Sequence, residues 1–278
     1  MIFRFASFQR HAIFLSTLPT RLTFLGTSTS VGVPVIGCDC QVCTSNDPRN
    51  RRTRSSIFLE TDEVRILVDT GPDLREQALR EKLTVVDHVL YTHDHVDHIV
   101  GFDEIRAFCW RREDPIPLHG SRHTLNSLER MFPWAFSNTA RNYVRPDPRP
   151  FEDFTELSLG DIQILTFPVE HGSSPTHGFR FTLPNGQVIA YAPDVKVIPP
   201  QSVTHLKGLD LLIIDALRKE PHPTHMSLKE ALTASARLSP AQTALTHLTH
   251  DLDFAETTAK LPPNTFIATD GLSLNFSS

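Results

Sequence analysis

The sequence has no long apolar run: none of its 278 residues sit in a stretch near the ~20 apolar side chains that a membrane-spanning helix needs. It has no basic excess either. Lys plus Arg (27) minus Asp plus Glu (32) leaves −5, which removes the charge footprint of a dedicated nucleic-acid binder. Cysteine is scarce, with four residues, and that excludes a disulfide scaffold at this length. Repeats and low-complexity tracts are absent, so a solenoid or fibrous chain is excluded as well. Acid is missing from the start: the first acidic residue is Asp39, and Met1–Thr20 carries Arg4, Arg10 and His11. That segment is set apart as an extension, either floppy or targeting. Its apolar stretch Ala12–Leu15 is short against the ~7–15 residues of a signal-peptide core. Residues 21–278 are expected to form one globular domain.

What is present is histidine, 14 residues of it, in a chain that is 40% hydrophobic and 21% charged. Short β-type runs recur at Arg21–Leu25, Ser56–Glu60, Arg65–Asp69, His88–Tyr91, Ile162–Phe167, Gly178–Leu183, Gln187–Ala192, Leu211–Asp215 and Thr243–His247. Helical spacing marks Leu74–Lys82, Ile99–Trp110, Thr124–Met131 and Ser227–Leu238. Strands come in groups with helices between them, which predicts an α/β sandwich with mixed sheets. Arg141–Pro150, with three Pro and three Arg, reads as an exposed connector.

The strongest signal is Tyr91-Thr92-His93-Asp94-His95-Val96-Asp97-His98, which follows the apolar run Val85–Leu90. A strand end opening into a tight turn can send His93 and His95 to one point, and Asp97 and His98 to a second point beside it. Imidazole and carboxylate suit Zn, Mn and Fe, and bimetallic hydrolases hold two ions ~3.5–4 Å apart. Further ligands are expected at His171, Asp194 and His247, each just beyond an apolar run. His177 is the alternative to His171. Asp69 ends another strand and is expected to orient a ligating histidine.

The order Asp69, H-x-H-x-D-H, His171, Asp194, His247 resembles the metallo-β-lactamase-fold hydrolases, from about Arg21 to the C-terminus. The resemblance implies a four-layer αβ/βα sandwich with metals at one edge of its two sheets. It implies His93, His95, His171 and Asp194 on one ion, Asp97, His98, Asp194 and His247 on the other, and Asp194 as the bridge. Lactamases proper usually have Cys where Asp194 stands, so the phosphodiesterase, glyoxalase and ribonuclease branches fit better.

Gly37-Cys38-Asp39-Cys40-Gln41-Val42-Cys43 clusters three thiols, with only Cys109 elsewhere in the chain. A C-x-C pair is too close for comfortable bridging, so a thiolate zinc site is expected, with free thiols as the alternative. His250, three residues after His247, is the expected fourth ligand of this structural zinc. The knuckle, the run Gly26–Pro34 before it and Leu245–Asp251 near the end resemble the PhnP-like phosphodiesterases of cyclic phosphoribosyl phosphates. That branch implies that His225, in Pro223-Thr224-His225-Met226-Ser227-Leu228, contacts phosphate or protonates the leaving oxygen.

The expectation is therefore a two-metal phosphodiesterase with two Mn or Zn ions and one structural Zn. A hydroxide bridging the ions would attack phosphorus, with Asp97 and His225 as catalytic residues and Arg106 and His225 contacting substrate. Arg106 has a second option, a pair with Asp103, and the basic run Arg49–Arg54 either steers an anion or is a solvated face. His88 and His119 read as partners of backbone or as surface. The partner is a small phosphorylated molecule. Nucleic acid and membrane are not expected, a homodimer is left open, and the location is read as cytoplasmic. Two alternatives remain: a thioester, lactone or amide hydrolase on the same metals, and a non-catalytic carrier like the PqqB relative, which shares the knuckle.

Overall fold

The computed structural model describes residues 19–110, 112–137 and 144–277. The extension expected over Met1–Thr20 lies outside these residues except at its end, and Thr20 already pairs with Phe276 as strand. His11 and residues 141–143 of the expected connector lie outside them too.

Fourteen strands are present among the described residues: β1 (Thr20–Gly26), β2 (Ser56–Glu60), β3 (Arg65–Val68), β4 (His88–Leu90), β5 (Ile116–Ser121), β6 (Pro146–Phe151), β7 (Glu156–Leu159), β8 (Ile162–Val169), β9 (Thr176–Thr182), β10 (Val188–Ala192), β11 (Leu211–Asp215), β12 (Gln242–Thr246), β13 (Thr265–Ile267) and β14 (Ser273–Phe276). They make two seven-stranded sheets, ordered β14-β1-β2-β3-β4-β5-β6 and β13-β12-β11-β10-β9-β8-β7. Each sheet is half antiparallel and half parallel. β3 to β6 run parallel, as do β10 to β13, while antiparallel pairings complete both sheets.

The apolar runs are continuous because both faces of these strands are covered. In β2, Ile57 and Leu59 point into the core between the sheets while Phe58 points outward, and Ile213 and Leu212 in β11 divide the same way. Helices α1 (Leu74–Arg80), α2 (Val96–Ile99), α3 (Arg106–Cys109) and α4 (Arg122–Met131) cover the first sheet. Helices α5 (Pro200–His205) and α6 (Leu228–Leu238) cover the second, and α7 (Phe254–Thr258) packs beside β13. The result is the expected four-layer αβ/βα sandwich with mixed sheets. Ser227 caps α6 in a reciprocal capping box with Glu230.

Two local expectations need correction. Ile99–Trp110 is not one helix: α2 passes through a 3-10 stretch, Val100–Ile105, into α3. The cause is tertiary, since the Gly101 N–H donates to the Thr70 carbonyl (2.8 Å) and a Cβ on Gly101 would meet the Gly71 carbonyl oxygen at 2.0 Å. That close approach fastens the segment after the H-x-H-x-D-H loop to the end of β3. The connector is also not all loop, because Pro146–Phe151 forms β6 at the sheet edge, where proline's missing donor costs no ladder bond.

Candidate metal centre

Six strands deliver side chains to one edge of the sandwich from their C-terminal ends: β3 (Asp69), β4 (the loop 91–98), β8 (His171), β10 (Asp194), β11 (Asp215) and β12 (His247). Asp69 is fixed first. It takes a left-handed φ of 65°, a conformation that costs a non-glycine residue about 1–3 kcal/mol, and its carboxylate is wholly buried. Asp69 Oδ1 accepts the Thr92 N–H (2.9 Å), and Oδ2 accepts the Thr92 hydroxyl (2.9 Å) and His98 Nδ1–H (2.8 Å). The bond to Nδ1 leaves His98 Nε2 as the free donor atom. With its proton given to Asp69, the Thr92 hydroxyl accepts from His93 Nδ1 (3.0 Å), and Nε2 of His93 is left free in the same way.

These nitrogens meet the downstream residues. His171 Nε2 lies 3.2 Å from His95 Nδ1, close to the ~3.3 Å kept by two nitrogens about 2.0–2.1 Å from one tetrahedral ion. Asp194 stands at the middle: Oδ2 is 2.8 Å from His98 Nε2, while Oδ1 is 3.0 Å from His247 Nε2 and 3.9 Å from His171 Nε2. Asp97 Oδ2 lies 3.4 Å from His98 Nε2. His93, His95 and His171 form one group with donor atoms within 4.8 Å of one another, and His93, His98 and Asp194 form another. His177 is elsewhere, bonded to Asp153 at 2.8 Å. Position separates His171 from His177, because β8 runs on to Val169 and brings His171 to the edge beside His95.

The cluster fits cations on chemical grounds. His93 Nε2, His98 Nε2 and Asp194 Oδ2 are buried without a hydrogen-bond partner, although two of them are only 2.8 Å apart. Leaving such groups unpaired costs about 1–3 kcal/mol each, and all three face one spot. Charge tells the same story. Burial holds His93 well below the ordinary histidine value, and burial likewise lowers His95 and His171 and takes His247 to about 3. These rings are neutral near pH 7, as ligation requires. Burial opposes charge on His98 also, yet Asp194, Asp97 and Asp69 raise it well above the ordinary value. Three carboxylates around one imidazole demand positive charge, which a divalent ion would supply.

His225 lies on the same edge, its ring stacked on His247 with centroids 4.9 Å apart. Its Nδ1 is 2.7 Å from Asp215 Oδ2, and that oxygen also accepts the Val195 N–H. Burial and the neighbouring Asp194 charge push the Asp215 carboxyl up. Sequence reasoning missed Asp215, although it closes Leu-Leu-Ile-Ile-Asp as Asp194 follows the apolar end of β10. It also missed the Thr224 carbonyl, which accepts from His171 Nδ1 (2.8 Å); a backbone acceptor has no residue signature. Arg106 pairs with Asp103 and lies over Trp134, so the structural option is the one seen. Three of the four arginines of the basic run have partners: Arg49 pairs with Asp47 (2.7 Å), Arg54 with Asp73 (3.1 Å), and buried Arg52 donates to the carbonyls of Thr249 and Leu252. His88 and His119 pair with each other at 3.2 Å rather than with backbone or solvent.

The knuckle is a separate site. Cys38, Cys40 and Cys43 place their sulfurs 3.3, 3.4 and 3.4 Å from His250 Nδ1, and the four donors form one tight group. A bond from the Cys43 N–H lowers Cys40 to about 6, while burial raises Cys43 to about 11. Three thiols and an imidazole in this arrangement suit a closed zinc site. Cys109 is free and buried.

Residues 64–248 match the family described as Beta-lactamase superfamily domain. A solved structure described as a new diphosphatase from the PhnP family is 38% identical, with a TM-score of 0.86 over 94% of this chain and 98% of that one. An octanoyltransferase of Porphyromonas gingivalis is 32% identical over 263 residues, covering 91% of this chain and 51% of that protein. A ribonuclease Z of Bradyrhizobium diazoefficiens is 30% identical over 172 residues, 59% of this chain and 50% of that protein. The chain spans about half the length of these two curated relatives.

Proposed function

The chain belongs to the β-lactamase superfamily, in the PhnP-like branch of its metallo-β-lactamase fold, and on that premise we propose that it is a two-metal hydrolase of small phosphodiesters. The observation that carries this reading is Asp194, whose two carboxylate oxygens face different histidines, His98 at 2.8 Å and His247 at 3.0 Å. A carboxylate divided in this way suits sharing between two cations. His93, His95 and His171 with Asp194 would hold one divalent ion, and Asp97, His98 and His247 with Asp194 the other. Mn and Zn suit these donors, and Cys38, Cys40, Cys43 and His250 would hold a structural Zn. When bound, the pair of ions supplies charge opposite a phosphoryl oxygen and makes water acidic enough to react near neutral pH.

The chain's own side chains do the remainder. Asp69 keeps Nε2 of His98 free for ligation, and the Thr224 carbonyl does the same for His171. Asp215 holds His225 by Nδ1, so Nε2 can give a proton to the departing oxygen when the ring is doubly protonated, a state that burial opposes and the Asp194 charge favours. Asp97 stays well below the usual carboxylate range although burial opposes ionisation, because His98 is beside it, so it remains a charged ligand.

The test is elemental analysis of purified protein together with hydrolysis of a linear and a cyclic phosphodiester. Three ions per chain and turnover lost on chelation are expected; a single ion with no diester hydrolysis would sink the reading. A second reading, cleavage of an acyl thioester or lactone at the same site, draws support from the 32% identity to the octanoyltransferase. An octanoyl thioester in the same assay separates the two.

A further inference from the structure

Asp94 stands between two histidines of the metal loop, yet its carboxylate turns to other elements. Oδ1 accepts the Ser174 hydroxyl (2.8 Å), and Oδ2 accepts the Ser127 hydroxyl (2.6 Å) and lies 3.0 Å from His123 Nε2. Arg130 donates to the Ser127 oxygen (2.8 Å), which directs the Ser127 proton onto Asp94. Ser174 comes three residues after His171 in the connection from β8 to β9, and Ser127 and His123 lie on α4. One carboxylate therefore ties the loop carrying His93 and His95 both to the loop carrying His171 and to a helix on the outer layer.

The ligands of that ion differ in how they are held. His93 is oriented by the Thr92 hydroxyl and His171 by the Thr224 carbonyl. His95, half exposed at the start of α2, has no comparable bond among the described residues, only the facing rings of His93 and His171. Its position depends on the backbone beside it, which is where Asp94 is fastened. We propose that Asp94 is the positioning residue that sets the distance between the two loops, and with it the site formed by His93, His95 and His171. The inference rests on the two-metal reading and makes that reading site-selective: loss of the clasp weakens one ion and spares the other.

Metal-free protein is titrated with Zn and with Mn, with elemental analysis at each step, for the unaltered chain, Asp94→Ala, Asp94→Asn, Ser174→Ala and Ser174→Thr. Removing a partner that orients metal ligands weakens binding about 10–100-fold, and Asp94→Ala should lose that much for one ion only. Asp94→Asn, which keeps an acceptor oxygen, should fall between it and the parent. Ser174→Ala should weaken the same ion, and Ser174→Thr, which keeps the hydroxyl, should restore it. The thermal midpoint of the metal-free chain should move little in Ser174→Ala. Unchanged affinity in both alanine variants, or equal weakening of every ion, overturns the clasp. If Asp94→Ala does not fold, the two Ser174 variants decide alone. An unaltered chain that binds only the thiolate-held ion overturns the two-metal reading itself, a result distinct from failure of the clasp.

Discussion

The two ligand clusters are built in opposite ways. The knuckle draws three donors from the short segment Cys38–Cys43 and one from His250, all at intermediate or low exposure in a small apolar patch with Val33 and Val42. The histidine–aspartate centre takes its donors from four strand ends across both sheets, and three of its histidines are aimed by a partner: His93 by the Thr92 hydroxyl, His98 by Asp69 and His171 by the Thr224 carbonyl. They meet at one turn, where His247 serves the centre and His250 the knuckle. His247 has a left-handed φ of 60°, a conformation the surrounding structure must hold in place. A local cluster of soft donors can close around its ion with little help from the fold. A dispersed cluster of hard donors exists only once the sandwich has formed.

Four experiments press on that contrast. The largest effect is expected for Asp194→Ala, which faces both halves of the dispersed site. Elemental analysis should show both ions lost and the knuckle zinc retained, with kcat/KM down about 10³-fold or more, since the ions supply several kcal/mol. Retention of both ions would defeat the bridging role. His225→Ala should leave metal content intact and lower kcat about 10²-fold, the lower end of general-acid contributions. Cys43→Ser probes the other side: it should release one zinc and lower the thermal midpoint, with a smaller loss of activity through the shared 247–250 turn. If activity disappears while midpoint and the two remaining ions are unchanged, the knuckle is part of the chemistry and the division into two sites fails.

The smallest and most graded effect is with pH. In the metal-free chain His98 is raised well above its ordinary value, so it carries a proton at neutral pH that an incoming ion must displace. Apparent affinity at the dispersed site should then rise with pH up to the raised value of His98. Calorimetry in buffers of different ionisation enthalpy should show proton release. The same shift stabilises the metal-free fold below the unfolded histidine value of about 6.5, and this contribution is lost as pH rises through the folded value. The knuckle titrates over a wider window, because Cys43 at about 11 still carries its proton at neutral pH while Cys40 at about 6 regains its own only in acid. Apparent zinc affinity of the knuckle should therefore fall as pH drops, and more steeply below about 6, where Cys40 is protonated as well. Loss of both kinds of site along one common pH curve would contradict the contrast.

Legibility followed the same division. The H-x-H-x-D-H loop and the thiol triplet are local strings, and the structure gathers them as strings. His171, Asp194 and His247 were found because each follows an apolar run, a signal tied to strand ends. Asp215 carries the same signal and was passed over, since a lone carboxylate at a strand end says nothing of the imidazole it will hold. The break in the helix after the loop was invisible because it comes from Gly71 and Gly101 approaching across the fold. Strands β13 and β14, three and four residues long and partly exposed, have too little pattern to show.

By itself the sequence determined the donor types, the grouping of three thiols, the strand runs buried on both faces and hence the layered α/β architecture. Only the tertiary structure decided how closely the donor side chains approach one another, that Asp215 joins them, and that the Asp94 carboxylate turns to Ser127 and Ser174 rather than to the cluster. The reason is distance along the chain. Hydrophobic period and residue type are properties of neighbours in sequence, whereas Asp69 and His247 share one site only because parallel strands in two packed sheets end at the same edge.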